Sequence, residues 1–495
     1  MLKSLFRKKD ISEQLADLDK QEHKLSKRLN WIDLTALGIG AVIGTGIFVL
    51  TGTAAAGSEG HLGAGPALTL SFIITGFACA LAALCYAEFA SMMPISGSAY
   101  TYSYAAFGEV IAWIMGWCLV LEYAIGNIAV SIGWSGYFAD LLRGFNLHIP
   151  GWLSTDYVTA ATRFDYGTTI PILDTAPHIF GLPFVINLPA MMINFLITIV
   201  LIYGIKESSW INIVFVGLKL VMVGLFIFVG FSYVKPEYWG HDWATFAPNG
   251  FPGVMTGAAL IFFAYIGFDA ISTAAEETVN PKRDMPRGIF ASLIVITILY
   301  IAVTMILTGI VDYKTLNVPE PVSFALRAVG ENTVAGFISA GAVVSMTSVL
   351  FVFALGQPRI FFSMSRDGLL PPVMGKIHPK YKTPHVSTII TGLFVGIVSG
   401  FMDIGQAAEL TNIGTLFAFI LVSLGVLVKR YTEPNLERPF KTPFVHVVAI
   451  GSALISGYIA YNLPPVTWHM FWIWLVIGLA IYFSYGYRKS KLKAK

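Results

Sequence analysis

Long apolar runs alternate with short polar connections along most of the chain. A bilayer-spanning helix needs about 20 mainly apolar residues. Twelve runs have that character, near 33–53, 67–92, 108–138, 185–204, 209–233, 251–272, 288–311, 335–362, 386–402, 407–428, 444–462 and 467–486. The pattern predicts an all-α polytopic membrane protein of twelve spans, with no connection long enough for a soluble domain. Its organisation reads as an N-terminal segment (1–30), five runs (31–233), five more (250–428), a last pair (443–487) and a tail (488–495). The longest connection, 139–184, carries Trp152, several Pro and Gly and few charges, which predicts a short packed cap. Before the first run, Ile11, Leu15, Leu18 and Leu25 fall at helical spacing among charges. That spacing predicts a helix lying on the cytoplasmic surface of the membrane or the bundle.

Composition agrees, with 56% hydrophobic and 12% charged residues against about 25% charged in an average soluble domain. The net charge of +3 gives no reason to expect a nucleic-acid partner. The placement of the basic residues says more. With the N-terminus inside, 25 of the 32 Lys and Arg fall on the inner side and five outside: Arg143, Arg163, Lys235, Lys314 and Arg327. Arg359 sits at the inner end of the eighth run and Lys219 inside the fifth. Such asymmetry predicts an even number of spans with both termini cytoplasmic, in the plasma membrane. About thirty charged residues precede the first run, which is not the pattern of a cleavable signal peptide. Cys79, Cys85 and Cys118 all lie inside apolar runs, where they read as small core residues with no metal spacing. The nine His are scattered and include no HExxH pair, so a membrane enzyme is not expected.

Two runs are interrupted in matching positions. The first contains GIGAVIGTGIF (Gly38–Phe48), and the sixth contains FFAYIGFDA (Phe262–Ala270). Glycine weakens a helix by up to about 1 kcal/mol relative to Ala, and unpaired backbone at membrane depth survives only beside protein or a cavity. The first and sixth runs head two five-run halves of opposite orientation, the pattern of an inverted-repeat secondary transporter. Amides at a half-helix N-terminus suit a carboxylate, here at Gly44, Thr45 and Gly46. The free carbonyls of Val42, Ile43, Phe263 and Ile266 suit an ammonium. Opposite requirements side by side describe an amino acid. The bland alternative is that these glycines only let helices pack closely.

With these motifs the sequence resembles the amino acid–polyamine–organocation superfamily and, within it, the cationic amino acid transporter family. Matching stretches are Gly38–Phe48, Tyr86–Trp117 and Ile266–Ile289, with SRDGLLPP (Ser365–Pro372) and RPFKTP (Arg438–Pro443). The first thirty residues and the 139–184 loop fall outside the resemblance, and the compact loops suggest a bacterial member. It implies the fold of sodium-coupled leucine transporters: two inverted five-helix repeats with broken helices one and six, plus two C-terminal helices. It also implies that Gly44–Gly46 bind the substrate carboxylate, that the Val42 and Ile266 carbonyls bind its ammonium, and that Phe263 gates the site. Phe263 read without the family is equally a core residue.

Lys219 interrupts IVFVGLKLVMVGLFIF. A charge there costs at least about 2.5–3.5 kcal/mol, and some ten apolar residues on each side hinder snorkelling. In sodium-driven relatives this region borders a cation site, which implies that an ammonium replaces sodium here and donates to first-run carbonyls near Ala41. Protons, and not sodium, are then the expected coupling ion, with no other cofactor. The alternative is a permanently charged lysine bridging the first and eighth runs, where Ser345, Thr347 and Ser348 stand close by. Glu122 is read as a proton site or as an acid facing a cationic side chain, the bland alternative being a protonated acid bonded to a neighbouring helix. Glu88, Glu109 and Asp269 are expected nearer helix ends, where hydration is cheaper. Asp269 is assigned to gating, with Glu276 and Arg283 helping to close the cytoplasmic side. Met346, Ala124 and Ala129 suggest a compact apolar side-chain pocket, favouring small neutral amino acids such as alanine over arginine. The expected function is proton-coupled import of an L-amino acid. Exchange, or transport of cationic amino acids on the same fold, are the alternatives. Membrane lipid is an expected partner, and a small accessory membrane subunit stays open.

Overall fold

The computed structural model describes residues 6–8, 28–58, 61–93, 98–165, 168–204 and 209–493. The helix expected before the first run, apart from Arg28, and Lys206 lie outside the described residues.

In chain order, α1 (Trp31–Val42) and α2 (Thr51–Ala56) flank a break that runs into a π-helical turn at Gly46–Leu50. They are followed by α3 (Leu68–Met92), α4 (Ser98–Ala106) and α5 (Glu109–Gly144). Next come α6 (Leu188–Tyr203), α7 (Ser209–Phe231) and α8 (Gly250–Ile261). The chain continues through α9 (Pro281–Ile310), α10 (Pro321–Ala328) and α11 (Asn332–Arg366). It ends with α12 (His385–Val398), α13 (Ile404–Thr432), α14 (Val445–Tyr461) and α15 (Pro465–Ile481). Among the described residues eight helices are long and apolar enough to cross a membrane, or nine if the pair bent by 44° around Ile43–Thr45 counts as one span. The runs at 185–204, 386–402 and 444–462 form shorter helices, α6, α12 and α14, of 16, 14 and 17 residues. At 1.5 Å per residue they reach about 21–26 Å, short of the roughly 30 Å hydrocarbon layer.

Residue chemistry explains the boundaries. Asn30 caps α1 by accepting from the amides of Ile32 and Asp33, while Asp33 accepts from the Asn30 amide. Asp403 caps α13 from one side only, accepting from the Gln406 amide. Glycines set the close crossings. Gly392, Gly396 and Gly400, four residues apart, receive Thr198, Phe195 and Met191 of α6, and a Cβ at any of them would stand 2.1–2.6 Å from those side chains. The long helices α5 and α11 lie along one another at the centre, α13 covers α5, and α9 packs on α3 and α1. Phe228, Ile298, Leu454 and Val476 project outward as exposed apolar side chains, as a lipid-facing belt requires.

The 139–184 connection folds into single helical turns and a hairpin of β1 (His178–Ile179) and β2 (Leu182–Pro183) around Ala160, Ile172 and Ala176. It forms a cap over one end of the bundle.

The expected hydration of three acids is overturned. Glu88 and Glu109 stand near helix ends but are not hydrated, being 0% and 1% exposed. Neighbouring segments fold over both. Glu88 accepts from Arg430 Nε and Nη2 at 2.8 Å each and from the Thr442 amide at 2.8 Å. Glu109 accepts from Tyr104, Tyr482 and Ser490, so the end of the chain packs across it. Asp269 is buried as well, at 2% exposed.

Candidate functional site

The two interrupted segments meet at the centre of the bundle. A Cβ on Gly46 would lie 2.3 Å from Ala264 Cα, and one on Gly267 would lie 3.1 Å from Ala41 Cβ. The backbones therefore touch, which only glycine permits, and Gly267 also adopts a φ of +118°. The second break is tighter than the first. Helix α8 narrows into a 3-10 turn at Phe262–Tyr265, unwinds at Ile266 and Gly267, and continues as 3-10 turns over Asp269–Glu277.

Hydroxyls and an ammonium from three other helices hold the carbonyls of the first break. Lys219 Nζ on α7 donates to Gly40 O at 2.5 Å, Tyr300 on α9 to Val42 O at 3.1 Å, and Ser345 on α11 to Ile43 O at 3.1 Å. Sequence reasoning placed the lysine near Ala41 and foresaw Ser345; the tyrosine it missed, since nothing local ties position 300 to position 42. Gly44 O accepts from the amides of Ile47 and Phe48. The amides of Gly44, Thr45 and Gly46 head the second half-helix, where no intrahelical carbonyl is available. Thr45 packs against Gly133 of α5, and its hydroxyl contacts Met346 Sδ at 3.2 Å. Gly44 faces Val349. Phe263 is 5% exposed, and its carbonyl accepts from the Ile266 amide.

Thus Val42, Ile43, Gly44, Thr45, Gly46, Phe263, Ile266 and Met346 form one neighbourhood. Ala124 lies further along α5. It is nine residues from Gly133, about 13 Å along α5, at the level where Gly126 meets Phe353; Ala129 is only one turn from Gly133. Glu122 lies lower still, within electrostatic reach of Asp269. Its Oε2 has no hydrogen-bond partner among the described residues. Arg283 pairs with its neighbour Asp284 at 2.8 Å; the side chain of Glu276 lies outside the described residues. Thr347 receives a hydrogen bond from Trp134 Nε1, and Ser348 bonds back to its own helix.

The sequence profile of the amino acid permease family matches residues 29–482. The chain belongs to that family. It is 48% identical over 491 residues to the methylthioribose transporter of Bacillus subtilis, covering 99% of this chain and 100% of that protein. It is 48% identical over 490 residues to the branched-chain amino acid permease BcaP of the same organism, covering 99% of each. The vacuolar cationic amino acid transporter 4 of Arabidopsis thaliana is 37% identical over 436 residues, 88% of this chain and 68% of that protein. This amino acid permease is therefore a multi-pass membrane protein.

On the side of the permease that carries the 139–184 cap, a cavity of about 330 Å³ descends to Val49 and Gly133 beside Thr45. Its walls bear His61, Asp156, Arg163, Asp403 and Glu409. Glu409 joins two segments, accepting from Thr467 at 2.6 Å and sharing a proton contact with His61 Nε2. Burial pushes the Asp403 carboxyl above its usual range, reinforced by the charge of Asp156. Burial also lowers the Arg163 guanidinium, against the pull of Glu320, Asp156 and Asp403. Sequence reasoning did not single out these residues for a site; they sit in loops or at helix ends far apart in the chain.

Proposed function

We propose that this permease is a proton-coupled symporter of neutral L-amino acids, built on twelve spans with two inverted five-helix repeats and both termini cytoplasmic. The single observation that carries the coupling is Lys219 Nζ on Gly40 O, with no carboxylate bonded to it among the described residues. A charged ammonium there ties α7 to the carbonyl end of α1, and a neutral amine binds that carbonyl more weakly. Protonation is thus coupled to the position of α1, half of the broken helix that carries the substrate amides. An ammonium in this place removes the need for a sodium ion.

The amides of Gly44, Thr45 and Gly46 would take the substrate carboxylate, and the remaining lone pairs of Val42, Ile43 and Ile266 carbonyls its ammonium. Met346 and Val349 face this backbone, and the substrate side chain would lie against that apolar surface. Small and medium neutral side chains fit it, which accords with a relative named for branched-chain amino acids. Phe263 would cover the substrate, and Asp269 lies below the second break as part of the closing side. The membrane is the cell membrane.

The test is uptake of labelled L-alanine, L-leucine and L-arginine into liposomes holding the purified protein, with an inward proton gradient and no sodium. Accumulation of alanine or leucine that collapses with a protonophore supports the symporter. Uptake that needs amino acid inside the vesicles and ignores the gradient replaces it with an exchanger, and preference for arginine overturns the neutral pocket.

A further inference from the structure

Where α5, α6, α11 and α12 meet, the packing leaves a void of about 10 Å³, room for one water molecule. Asn127 of α5, Asn194 of α6 and Thr391 of α12 line it, with Ala354 of α11 and Gly392 of α12 in its wall. None of the three polar residues is more than 5% exposed. Asn127 Oδ1, Asn194 Oδ1 and Thr391 Oγ1 are all buried without a hydrogen-bond partner among the described residues. Nearby hydroxyls are satisfied within their own helices. Thr198 donates to Asn194 O, and Ser387 and Thr388 donate to Pro384 O. The orientation of Asn194 is fixed by its other atom. Its Nδ2 donates to Ala190 O at 3.0 Å and to Ser399 Oγ at 3.1 Å, so turning the amide over would set oxygen against the Ala190 carbonyl.

The two amide oxygens accept but cannot donate, and the Thr391 hydroxyl has a single proton. One water meets all three by donating to the oxygens and accepting from the hydroxyl, and three bonds are typical of a buried water. No charged side chain lines the void, whereas a hard metal cation takes about six or more oxygens and a buried charge needs a partner. Closer helix packing cannot remove the void, because a Cβ on Gly392 would already stand 2.1 Å from Thr198 Oγ1. We propose that the void holds one permanently bound water, which joins Asn127 of α5 and Asn194 of α6 to Thr391 of α12. Asn127 is six residues, about 9 Å, from Gly133 along α5, and Gly133 packs on Thr45. The water thus braces the helix against which the first break rests.

The first test needs no variant. A density map of the wild-type chain that resolves waters should show one peak about 2.7–3.0 Å from each of the three oxygens. Thermal unfolding of purified protein is then compared for Asn127→Leu, Thr391→Val and the two together, substitutions that nearly keep side-chain size. Asn127 Oδ1 and Thr391 Oγ1 make no direct bond, so any coupling between them passes through the water. Each single variant should lower Tm by about 2 °C, and the pair by about as much as one alone. Thr388→Val, whose hydroxyl bonds its own helix, is the control and should add to Asn127→Leu. Wild-type Tm should be equal in sodium, potassium and N-methylglucamine chloride. An empty void in the density, or losses that add for Asn127→Leu with Thr391→Val, overturns the bound water. A wild-type Tm that rises with sodium or potassium, and no longer does so in Asn127→Leu, overturns it in favour of a monovalent cation.

Discussion

Lys219 and Glu88 are both ionisable residues buried in the helical bundle, at 1% and 0% exposure, and they are held in opposite ways. Glu88 is enclosed by a bidentate Arg430, the Thr442 amide and, at 3.4 Å, Arg438 Nε. Arg438 itself spends its other nitrogens on the carbonyls of Lys429, Glu433, Pro434 and Leu436. That cluster fastens α3 to the end of α13 and to the connection that follows it. Lys219 has one carbonyl and no counter-charge among the described residues. A charge with saturated partners is costly to alter and makes a good fastening. A charge with a single dipole for company has little to hold it in place, and makes a good switch.

The largest expected effect tests the switch. Lys219→Ala should abolish gradient-driven accumulation, a loss of at least about 100-fold, while leaving the detergent-purified protein folded. Counter-flow exchange in the same liposomes, with amino acid on both sides, should persist. If accumulation survives the substitution, Lys219 is a fastening like Glu88.

Next is the fastening. Glu88→Ala leaves Arg430 and Arg438 buried without a counter-charge, and breaking a buried pair from one side costs about 3–5 kcal/mol. Thermal unfolding should show a large loss of stability, whereas Glu88→Gln, which keeps the side chain's size and one acceptor oxygen, should lose less. The comparison collapses if Glu88→Ala is as stable as wild type but uncoupled from protons.

The break itself should answer to smaller changes. Tyr300→Phe removes the hydroxyl on Val42 O and Ser345→Ala the one on Ile43 O. Each buried hydrogen bond contributes about 0.5–1.5 kcal/mol, so each variant should raise KM by a few-fold in uptake assays, without loss of proton coupling. Coupling lost in either variant would place the switch in the whole carbonyl row and not in Lys219.

These residues also mark where sequence reading stops. The twelve apolar runs and both interruptions were legible because hydropathy and glycine spacing are local properties. Lys219 was legible because a charge inside an apolar run stands out by itself. Tyr300, Arg163 and His61 were not, since their roles depend on partners at positions 42, 317 and 409, contacts created only by folding. Glu88 and Glu109 were misread for the same reason. Position near a helix end suggested water, but the RPFKTP connection and the chain's last helical turns pack over them.

The smallest expected effect lies in the cavity, where a third kind of buried charge contrasts with both. Asp403 has its carboxyl raised above the usual range by burial, so the folded protein holds that proton more tightly than the unfolded chain. A raised acid contributes stability below its unfolded value and loses it as pH rises through the folded one. Wild type should therefore lose slightly more thermal stability than Asp403→Asn between mildly acidic and neutral pH, a difference of no more than about 2 °C. A difference of the opposite sign, or none, would show that a group other than Asp403 sets this pH dependence.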